Sequence, residues 1–414
     1  MASFRFFHAA DVHLDSPLRG LARRGDAAGA FLAATRRALE NLVSAAIAEQ
    51  VAFLIIAGDL YDGDWRDYAT GQFFVRQMGR LAREGIPAYL ISGNHDAESV
   101  ITRALPLPPN VHGFSGRSVK TETIEPIGVA LHGWGFGHRH VPDNVVQRYP
   151  AALPGRFNIG VLHTSLTGRE GHAAYAPCTV EDLRRPGYDY WALGHVHKRE
   201  VVAHDPHIVF PGNLQGRHAR ETGPKGATLV TVTDGRISRL DAVPLDAARF
   251  EHLAIALPLE TDMAGLRQQV RGEIAAARTA ADGRPLALRL TFAGVTTLHA
   301  HLLAQAEQLA EDMQALAWEA GSDVLVEKVR VATVAPHRIG DLAELSGFDT
   351  VLAEVTADPA LRAEIARTLG ELRAKTPPDV LDQFGSADVE AAISAARESV
   401  LAGLAAPVEP ESGR

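Results

Sequence analysis

The residues best suited to chemistry are aspartate, asparagine and histidine side chains in five short blocks, each at or just after an apolar segment. The blocks are Asp11-Val12-His13, Gly58-Asp59-Leu60-Tyr61-Asp62, Gly93-Asn94-His95-Asp96, His163-Thr164 and Gly194-His195-Val196-His197. Divalent transition metals bind mixed sets of carboxylate or amide oxygens and imidazole nitrogens. Two aspartates, one asparagine and four of these imidazoles are enough donors for two divalent ions, if His95 points away from its neighbour Asn94.

The spacing within the blocks favours shared sites. Asp11 and His13 lie two residues apart, as do His195 and His197, so each pair points to one side of an extended backbone. Asp59 has two carboxylate oxygens and can therefore bridge two cations. A two-metal site, with the ions about 3.5–4 Å apart, is the simplest use of this set. The mixed donors fit Mn²⁺, Fe²⁺ or Zn²⁺.

Alternating strands and helices are predicted to carry the first three blocks. Residues 4–9, 51–57 and 88–92 are apolar runs typical of buried strands, and residues 35–49 and 70–84 between them show helical periodicity. This alternation indicates an α/β fold with parallel strands. Ligands bind beyond the carboxyl ends of such strands, which is where the blocks stand.

Strands predominate after about residue 110. Residues 129–133, 157–163 and 190–194 are predicted as strands, and a hairpin is predicted around the turn Asp234-Gly235. The fold class predicted for this part is therefore a mixed sheet, or two facing mixed sheets, flanked by helices.

The chain divides into three predicted domains. Residues 1–244 carry the five blocks. Residues 245–337 follow a β-α-β-α-β pattern and form a small α/β domain. Residues 338–414 are helical and acidic, with breaks at Pro359 and at Pro377-Pro378.

Composition places the chain among ordinary globular proteins. Of 414 residues, 46% are hydrophobic and 22% are charged, which argues against disorder. No apolar run approaches the roughly 20 residues that span a bilayer, and the N-terminus lacks a secretory pattern, so no membrane contact and a cytoplasmic location are expected. The single cysteine, Cys178, excludes a disulfide scaffold or a cysteine zinc site within the chain.

Charge is distributed unevenly. The net charge is −9, but residues 1–243 hold 26 basic against 24 acidic residues, whereas residues 338–414 hold 7 against 14. The first segment is near neutral, and bound divalent ions would add positive charge where a phosphate would lie. A phosphate-bearing partner is therefore compatible with this segment.

The five blocks, in this order, resemble the calcineurin-like metallophosphoesterase superfamily over residues 4–243. The segments 10–18 and 58–62 are similar to the SbcD-type DNA repair nucleases. The segments 163–166, 168–172, 175–178 and 211–218 are most similar to the YhaO-like branch of DNA repair exonucleases. The resemblance implies a metallophosphoesterase sandwich, a small α/β capping domain and a C-terminal helical segment.

The resemblance implies two divalent ions, most commonly Mn²⁺. It assigns Asp11, His13, Asp59 and His197 to one ion. It assigns Asn94, His163 and His195 to the second, with Asp59 bridging. His95 is then a catalytic residue that protonates or stabilises the leaving oxygen, and Asp96 orients its ring.

One position departs from the resemblance. SbcD-type nucleases commonly have a histidine three residues after the bridging aspartate, where this chain has Asp62. Asp62 is therefore either a substrate-positioning residue or a turn residue. Arg217 and His218, after a Pro-Gly-Asn turn, are either phosphate contacts or part of a solvated loop.

The function predicted is metal-dependent hydrolysis of DNA phosphodiesters, as an exonuclease in DNA repair, with contacts to phosphates rather than to sequence. One alternative is a phosphoesterase for a small nucleotide or a phosphoprotein. Another is a non-catalytic subunit of an ATPase complex. The resemblance implies an SbcC-like coiled-coil ATPase partner that docks on the C-terminal helices, and it implies a homodimer.

Overall fold

The computed structural model describes residues 2–16, 21, 29–62, 68–94, 107–114, 118–135, 141–166, 175–336, 342–375, 389–394 and 396–397. The chain forms two compact units. The first consists of Met1–His252, Ala277–Leu288 and Gly321–Glu327, and the second of Leu253–Ala276, Arg289–Ala320 and Lys328–Arg414. The three-domain division at residues 244 and 337 stays a prediction.

Two six-stranded sheets form the framework of the first unit. Their strands are β1 (Phe4–Ala9), β2 (Phe53–Ala57), β3 (Ala88–Ile91), β4 (Val111–Gly113), β5 (Lys120–Ile124), β6 (Val129–Gly133), β7 (Phe157–His163), β8 (Tyr190–Gly194), β9 (Glu200–His204), β10 (His207–Phe210), β11 (Gly226–Thr233) and β12 (Arg236–Pro244). The first sheet has the order β12-β11-β1-β2-β3-β4, and the second has the order β5-β6-β7-β8-β10-β9.

Both sheets combine parallel and antiparallel strands. In the first sheet, β1 to β4 are parallel and β11 and β12 are antiparallel. In the second, β6, β7, β8 and β10 are parallel, while β5 and β9 pair antiparallel. The predicted class of two mixed sheets is confirmed. The short strands β4, β5, β9 and β10 had no prediction, because three to five residues give too little periodicity.

Helices cover the outer face of the first sheet. Among the described residues before position 200, the α-helices are α1 (Gly29–Leu32), α2 (Ala34–Ala48), α3 (Tyr68–Arg83) and α4 (Val180–Arg184). In β2, Leu54 and Ile56 pack with the side chains of α2 and α3, whereas Phe53 and Ile55 pack with Ile159 of the second sheet. Both faces of β2 are thus buried, which is why its sequence is continuously apolar. Each such side chain contributes about 1.5–3 kcal/mol by burial.

His8 is a core histidine that lies away from the predicted metal ligands. It is fully buried in β1, with Nδ1 2.9 Å from the Tyr190 hydroxyl and Nε2 3.1 Å from the carbonyl oxygen of Leu193. Burial lowers the pKa of His8 to about 3, so its ring is neutral. His8 therefore links β1 to β8 across the two sheets as a structural residue.

A third sheet and further helices follow within the described residues. They are β13 (Arg249–Ala256), α5 (Met263–Ala280), β14 (Leu286–Val295), α6 (His299–Ala304), α7 (Ala306–Ala320), β15 (Val324–Val334), α8 (Leu342–Ala357) and α9 (Pro359–Lys375). The sheet order is β13-β14-β15, and the chain alternates between strand and helix as predicted. One predicted helix, residues 298–319, is two helices because Gln305 leaves helical geometry at φ −116°, ψ 35°. No Gly or Pro marks that break.

Helix α9 begins where its sequence indicates, whereas the predicted break at Pro377-Pro378 lies outside the described residues. Pro359 is the first residue of α9, a position where its missing N–H costs no hydrogen bond. The Asp358 carboxylate accepts a hydrogen bond from the Ala360 N–H at 2.8 Å and caps the same end. In the part of the chain that the structure describes, no helix has the length and apolar character needed to cross a membrane.

Candidate metal centre

The seven predicted metal ligands lie at one edge of the two sheets. Parallel strands β1, β2 and β3 end there in the first sheet, and β7 and β8 end there in the second. The ligands of the first sheet are Asp11, His13, Asp59 and Asn94, and those of the second sheet are His163, His195 and His197. Both sheets therefore contribute donors to the same region.

One group of donors combines Asp11, His13 and His197. Their ligand atoms all lie within 4.8 Å of one another. The two imidazoles face each other, with 3.2 Å between their Nε2 atoms, and His197 Nε2 lies 4.0 Å from Asp11 Oδ1. Asp11 and His13 are almost wholly buried.

A second group lies beside the first. Asp11, Asp59 and His163 also have ligand atoms within 4.8 Å of one another, so Asp11 belongs to both groups. Asn94 Oδ1 is 3.0 Å from His163 Nε2 and 3.2 Å from His195 Nδ1. The Oδ2 atom of Asp59 is 3.4 Å from His163 Nε2 and 3.8 Å from His13 Nε2. Asp59 thus faces imidazoles of both groups, which fits its predicted bridging position.

Four of these residues have left-handed backbone conformations. The φ angles are 50° for Asp11, 44° for His13, 49° for Asp59 and 103° for His195. Such angles are unfavourable for residues other than glycine and persist only where surrounding bonds enforce them. Here the N–H of Asp11 donates to Gly58 O at 3.1 Å, and the N–H of His13 donates to Asp59 O at 3.0 Å. These hydrogen bonds hold Asp11 and His13 in strained backbone conformations and so fix the direction of their side chains.

Burial and close contact between ionisable groups shift the pKa values of the clustered side chains. Burial raises the pKa of the Asp11 carboxyl, although His197 and His163 oppose the shift. Burial lowers the pKa of His163, but the nearby carboxylates of Asp59 and Asp11 outweigh it and raise the pKa to about 9. Burial, reinforced by Arg217, lowers the pKa of His13 to about 3.

The donor set fits divalent metal ions. Two buried carboxylates share a region with four imidazoles, and buried carboxylates need compensating positive charge. Asp11, His13 and His197 would hold one ion, Asn94, His163 and His195 the other, and Asp59 would contribute to both. When bound, such ions supply positive charge for a phosphoryl group and a water of lowered pKa. The Asp11 carboxylate also accepts the His195 N–H at 3.1 and 3.0 Å, which fixes its direction.

Close contact between the sheets at this edge depends on Gly194. A Cβ atom there would lie 1.9 Å from Ala57 O and 2.9 Å from His163 Nδ1. Gly194→Ala is therefore expected to push β8 away from β2, to lower the free energy of unfolding by roughly 1–3 kcal/mol, and to weaken metal binding. Thermal denaturation and Mn²⁺ titration measure both effects. Gly79→Ala in α3 is the control, because a Cβ there meets nothing within 4 Å and gains helix propensity. A melting temperature and a Mn²⁺ affinity in Gly194→Ala equal to those of wild type would contradict the expectation.

The three predicted substrate-binding residues lie next to the first group of donors. Asp62 Oδ2 accepts the Ser16 hydroxyl at 2.6 Å, and Asp62 Oδ1 lies 3.7 Å from His13 Nδ1. The Arg217 guanidinium is 3.4 Å from Asp62 and 3.8 Å from Glu221, and 16% of its side chain is exposed. His218 is 45% exposed, with Nε2 3.6 Å from Glu221. Their role in substrate binding stays a prediction, as do the ligand roles of the seven residues.

Two site residues had no sequence prediction, and two predictions fall outside the structure. His95 and Asp96 lie outside the described residues. Glu221 accepts a hydrogen bond from His197 at 2.6 Å. Tyr175, which is almost fully buried, stacks on the His195 ring at 5.7 Å and meets His163 edge-on. Neither has a motif of its own; the only signal was that both stand in or beside segments that resemble the YhaO-like branch.

Comparison with known proteins agrees with this geometry. The calcineurin-like phosphoesterase model matches residues 4–199, and the model of the middle domain of metallophosphoesterase YhaO matches residues 250–334. "Uncharacterized metallophosphoesterase YhaO" of Bacillus subtilis is 36% identical over 327 residues, which cover 75% of this chain and 79% of that protein. "DNA double-strand break repair protein Mre11" of Sulfurisphaera tokodaii is 25% identical over 66% of this chain and 69% of that protein. The chain belongs to the calcineurin-like phosphoesterase family, with a YhaO-type middle domain, and this membership indicates a hydrolase of phosphoester bonds.

Proposed function

We propose that this protein is a Mn²⁺-dependent DNA nuclease that hydrolyses phosphodiester bonds at a dinuclear site, as an exonuclease in DNA repair. The observation that carries the proposal is the cluster at the shared edge of two sheets, in which the buried carboxylates of Asp11 and Asp59 lie among two buried and two half-buried imidazoles. Its mixed oxygen and nitrogen donors suit Mn²⁺, and also Fe²⁺ or Zn²⁺.

The choice of DNA rests on similarity to the Mre11 repair proteins. Three such archaeal proteins match this chain at 25–27% identity over 52–66% of its length. Hydrolysis of a phosphodiester needs no base recognition, so contacts through phosphates without sequence preference are expected.

The residues of this chain have distinct proposed roles. The seven predicted ligands hold the ions. His95 gives a proton to the leaving oxygen or stabilises its charge, and Asp96 holds the His95 ring in the orientation that this transfer needs. Tyr175 packs against the imidazoles of His163 and His195 and restricts their rotation.

One observation favours a second candidate, a phosphoesterase for a small nucleotide or phosphoprotein. Asp62 stands where the SbcD-type nucleases commonly have a histidine, and its carboxylate lies 3.7 Å from His13. Arg217 is shared between Asp62 at 3.4 Å and Glu221 at 3.8 Å, so it offsets only part of this charge, and the remainder would repel a neighbouring phosphate of a DNA strand. A small ester with one phosphate avoids that repulsion.

The proposed partners are an SbcC-like coiled-coil ATPase and a second copy of this chain. Helices α8 and α9 are the proposed docking segment, and Val351 and Val355 of α8 are about half exposed. A subunit without catalytic activity is the third candidate. The gathering of all seven predicted ligands at one edge argues against it, since a non-catalytic subunit needs no such cluster.

The test is hydrolysis by the purified protein. Labelled linear DNA and bis-p-nitrophenyl phosphate are each incubated with Mn²⁺ or with chelator, and His95→Ala is the control. Metal-dependent DNA digestion that His95→Ala lacks supports the nuclease. Cleavage of the small ester alone would support the second candidate. Cleavage of neither substrate, with Mn²⁺ bound, would support the non-catalytic subunit.

A further inference from the structure

Glu221 is a buried carboxylate directly behind the predicted ligand His197. The residue is 6% exposed. Its Oε1 atom lies 2.6 Å from His197 Nδ1, and its Oε2 atom accepts hydrogen bonds from Asn213 Nδ2 at 2.9 Å and from the Arg217 N–H at 2.7 Å. Both carboxylate oxygens of Glu221 thus accept hydrogen bonds from protein groups. Burial alone would raise the pKa of Glu221, but the hydrogen bond with His197 and the positive charge of Arg217 outweigh it and hold this pKa well below its usual range.

The loop that carries Glu221 is anchored to the metal ligands themselves. Asn213 forms a parallel bridge with Ala10, and its N–H donates to the carbonyl oxygen of His197 at 3.3 Å. The N–H of Leu214 donates to the carbonyl oxygen of Asp11 at 3.4 Å. The loop therefore runs beside the backbones of Asp11 and His197, which both belong to the first group of donors.

The Glu221 carboxylate determines which nitrogen of His197 carries the proton. A carboxylate accepts hydrogen bonds, so Nδ1 is the donor and Nε2 keeps its lone pair. Nε2 is the atom that faces His13 Nε2 at 3.2 Å and Asp11 Oδ1 at 4.0 Å. A metal ion binds the unprotonated nitrogen, and a partner on the other nitrogen sets both the tautomer and the ring angle.

Arg217 connects this support to the second imidazole of the same group. Its Nη2 atom lies 3.8 Å from Glu221, and its Nη1 atom lies 3.4 Å from Asp62. Asp62 in turn lies 3.7 Å from Nδ1 of His13, too far for a direct hydrogen bond. The guanidinium therefore offsets the charge of two carboxylates that stand behind His13 and His197.

We propose that Glu221 is a positioning residue that sets the affinity of one metal position, the one formed by Asp11, His13 and His197. Arg217 belongs to the same support and holds Glu221 and Asp62 in place. The proposal rests on the two-metal site of the proposed function. It assigns Arg217 a supporting role in place of the phosphate contact that the sequence predicted.

Glu221→Gln is a sharp test because glutamine has only one acceptor oxygen. If that oxygen faces Asn213 and the Arg217 N–H, the NH₂ group faces His197 and forces the proton onto Nε2. If it faces His197, the NH₂ group meets two other donors and the loop loses two hydrogen bonds. Either arrangement disturbs His197 and leaves His163 and His195 untouched.

The experiment measures Mn²⁺ binding to the full chain by isothermal titration calorimetry, with electron paramagnetic resonance to detect coupling between two bound ions. In Glu221→Gln we expect one ion to bind about 10–100-fold more weakly and the other to bind as in wild type. The paramagnetic resonance signal of two coupled ions should then appear only at a correspondingly higher Mn²⁺ concentration. Glu251→Gln is the matched control, because Glu251 accepts the nearby Gly223 N–H at 3.1 Å and contacts no predicted ligand. Its binding curve should equal that of wild type.

Several results would overturn the proposal. They are unchanged affinity for both ions, or equal weakening of both, in a Glu221→Gln protein with native near-ultraviolet circular dichroism. If that variant does not fold, Arg217→Gln decides: a weaker single ion supports the proposal, whereas unchanged metal affinity with a raised KM returns Arg217 to substrate binding. Because the readout is metal binding, a wild type that binds two ions but digests no DNA would reject only the proposed substrate.

Discussion

Asp59→Ala is expected to bind fewer than two Mn²⁺ ions per chain and to lose hydrolytic activity by at least about 10³-fold, the upper end of what removal of one electrostatic stabiliser costs. The reason is that Asp59 Oδ2 faces His163 at 3.4 Å and His13 at 3.8 Å, one imidazole from each group of donors. Metal content of the purified protein and titration calorimetry measure the stoichiometry. Phosphodiester hydrolysis measures the activity.

The control for this prediction is Asp241→Ala on the hairpin strand β12, where the carboxylate pairs with Arg239 at 2.7 Å. It should bind two ions and keep wild-type activity. If Asp59→Ala still bound two ions with wild-type affinity, the bridging position of Asp59 would be wrong. Asp11, which belongs to both groups of donors, would then be the next residue to replace.

His95→Ala is expected to lower the hydrolysis of DNA by about 10²–10⁴-fold, the contribution of a positioned general acid, while both ions stay bound. The alkoxide that leaves a DNA strand needs a proton far more than p-nitrophenolate does. The loss should therefore be smaller for bis-p-nitrophenyl phosphate than for DNA. Rates on both substrates, together with Mn²⁺ stoichiometry, check the expectation.

His204→Ala is the matched control for His95→Ala, since His204 lies at the exposed end of the edge strand β9. Equal losses on DNA and on the activated ester would contradict protonation of the leaving group and would favour stabilisation of charge by His95. Full activity of His95→Ala on DNA would remove both roles.

The sequence was sufficient to predict the framework and the gathering of the seven residues. The strands that carry Asp59 and His195 are apolar on both faces, so their continuous hydrophobic runs stand out, and parallel strands place their carboxyl ends at one edge. Glycines directly before these residues mark where the backbone turns. The pattern is local, and this is why it can be found without a structure.

The support behind the ligands could not be predicted, because it depends on contacts between distant segments. Glu221 meets His197 only after the loop at 211–221 has folded against residues 10 and 11. Asp62 reaches Arg217 across 155 positions in the chain. A carboxylate four residues after an arginine has no periodicity that distinguishes it from a surface residue. For the same reason, the residues next to Arg217 in the sequence could not show whether its side chain is exposed or buried.

The meeting of two sheets at the cluster also ties the lifetime of the fold to the metal supply. Each candidate group of ligands combines residues from both sheets, so ions bound here would fasten one sheet to the other. Binding that favours the folded state adds about 1.4 kcal/mol to its stability for each tenfold rise in free ion above the dissociation constant. Scarcity of the ion would then shorten the survival of the protein against proteolysis as well as its activity. Abundance of the protein would follow the concentration of the ion it uses.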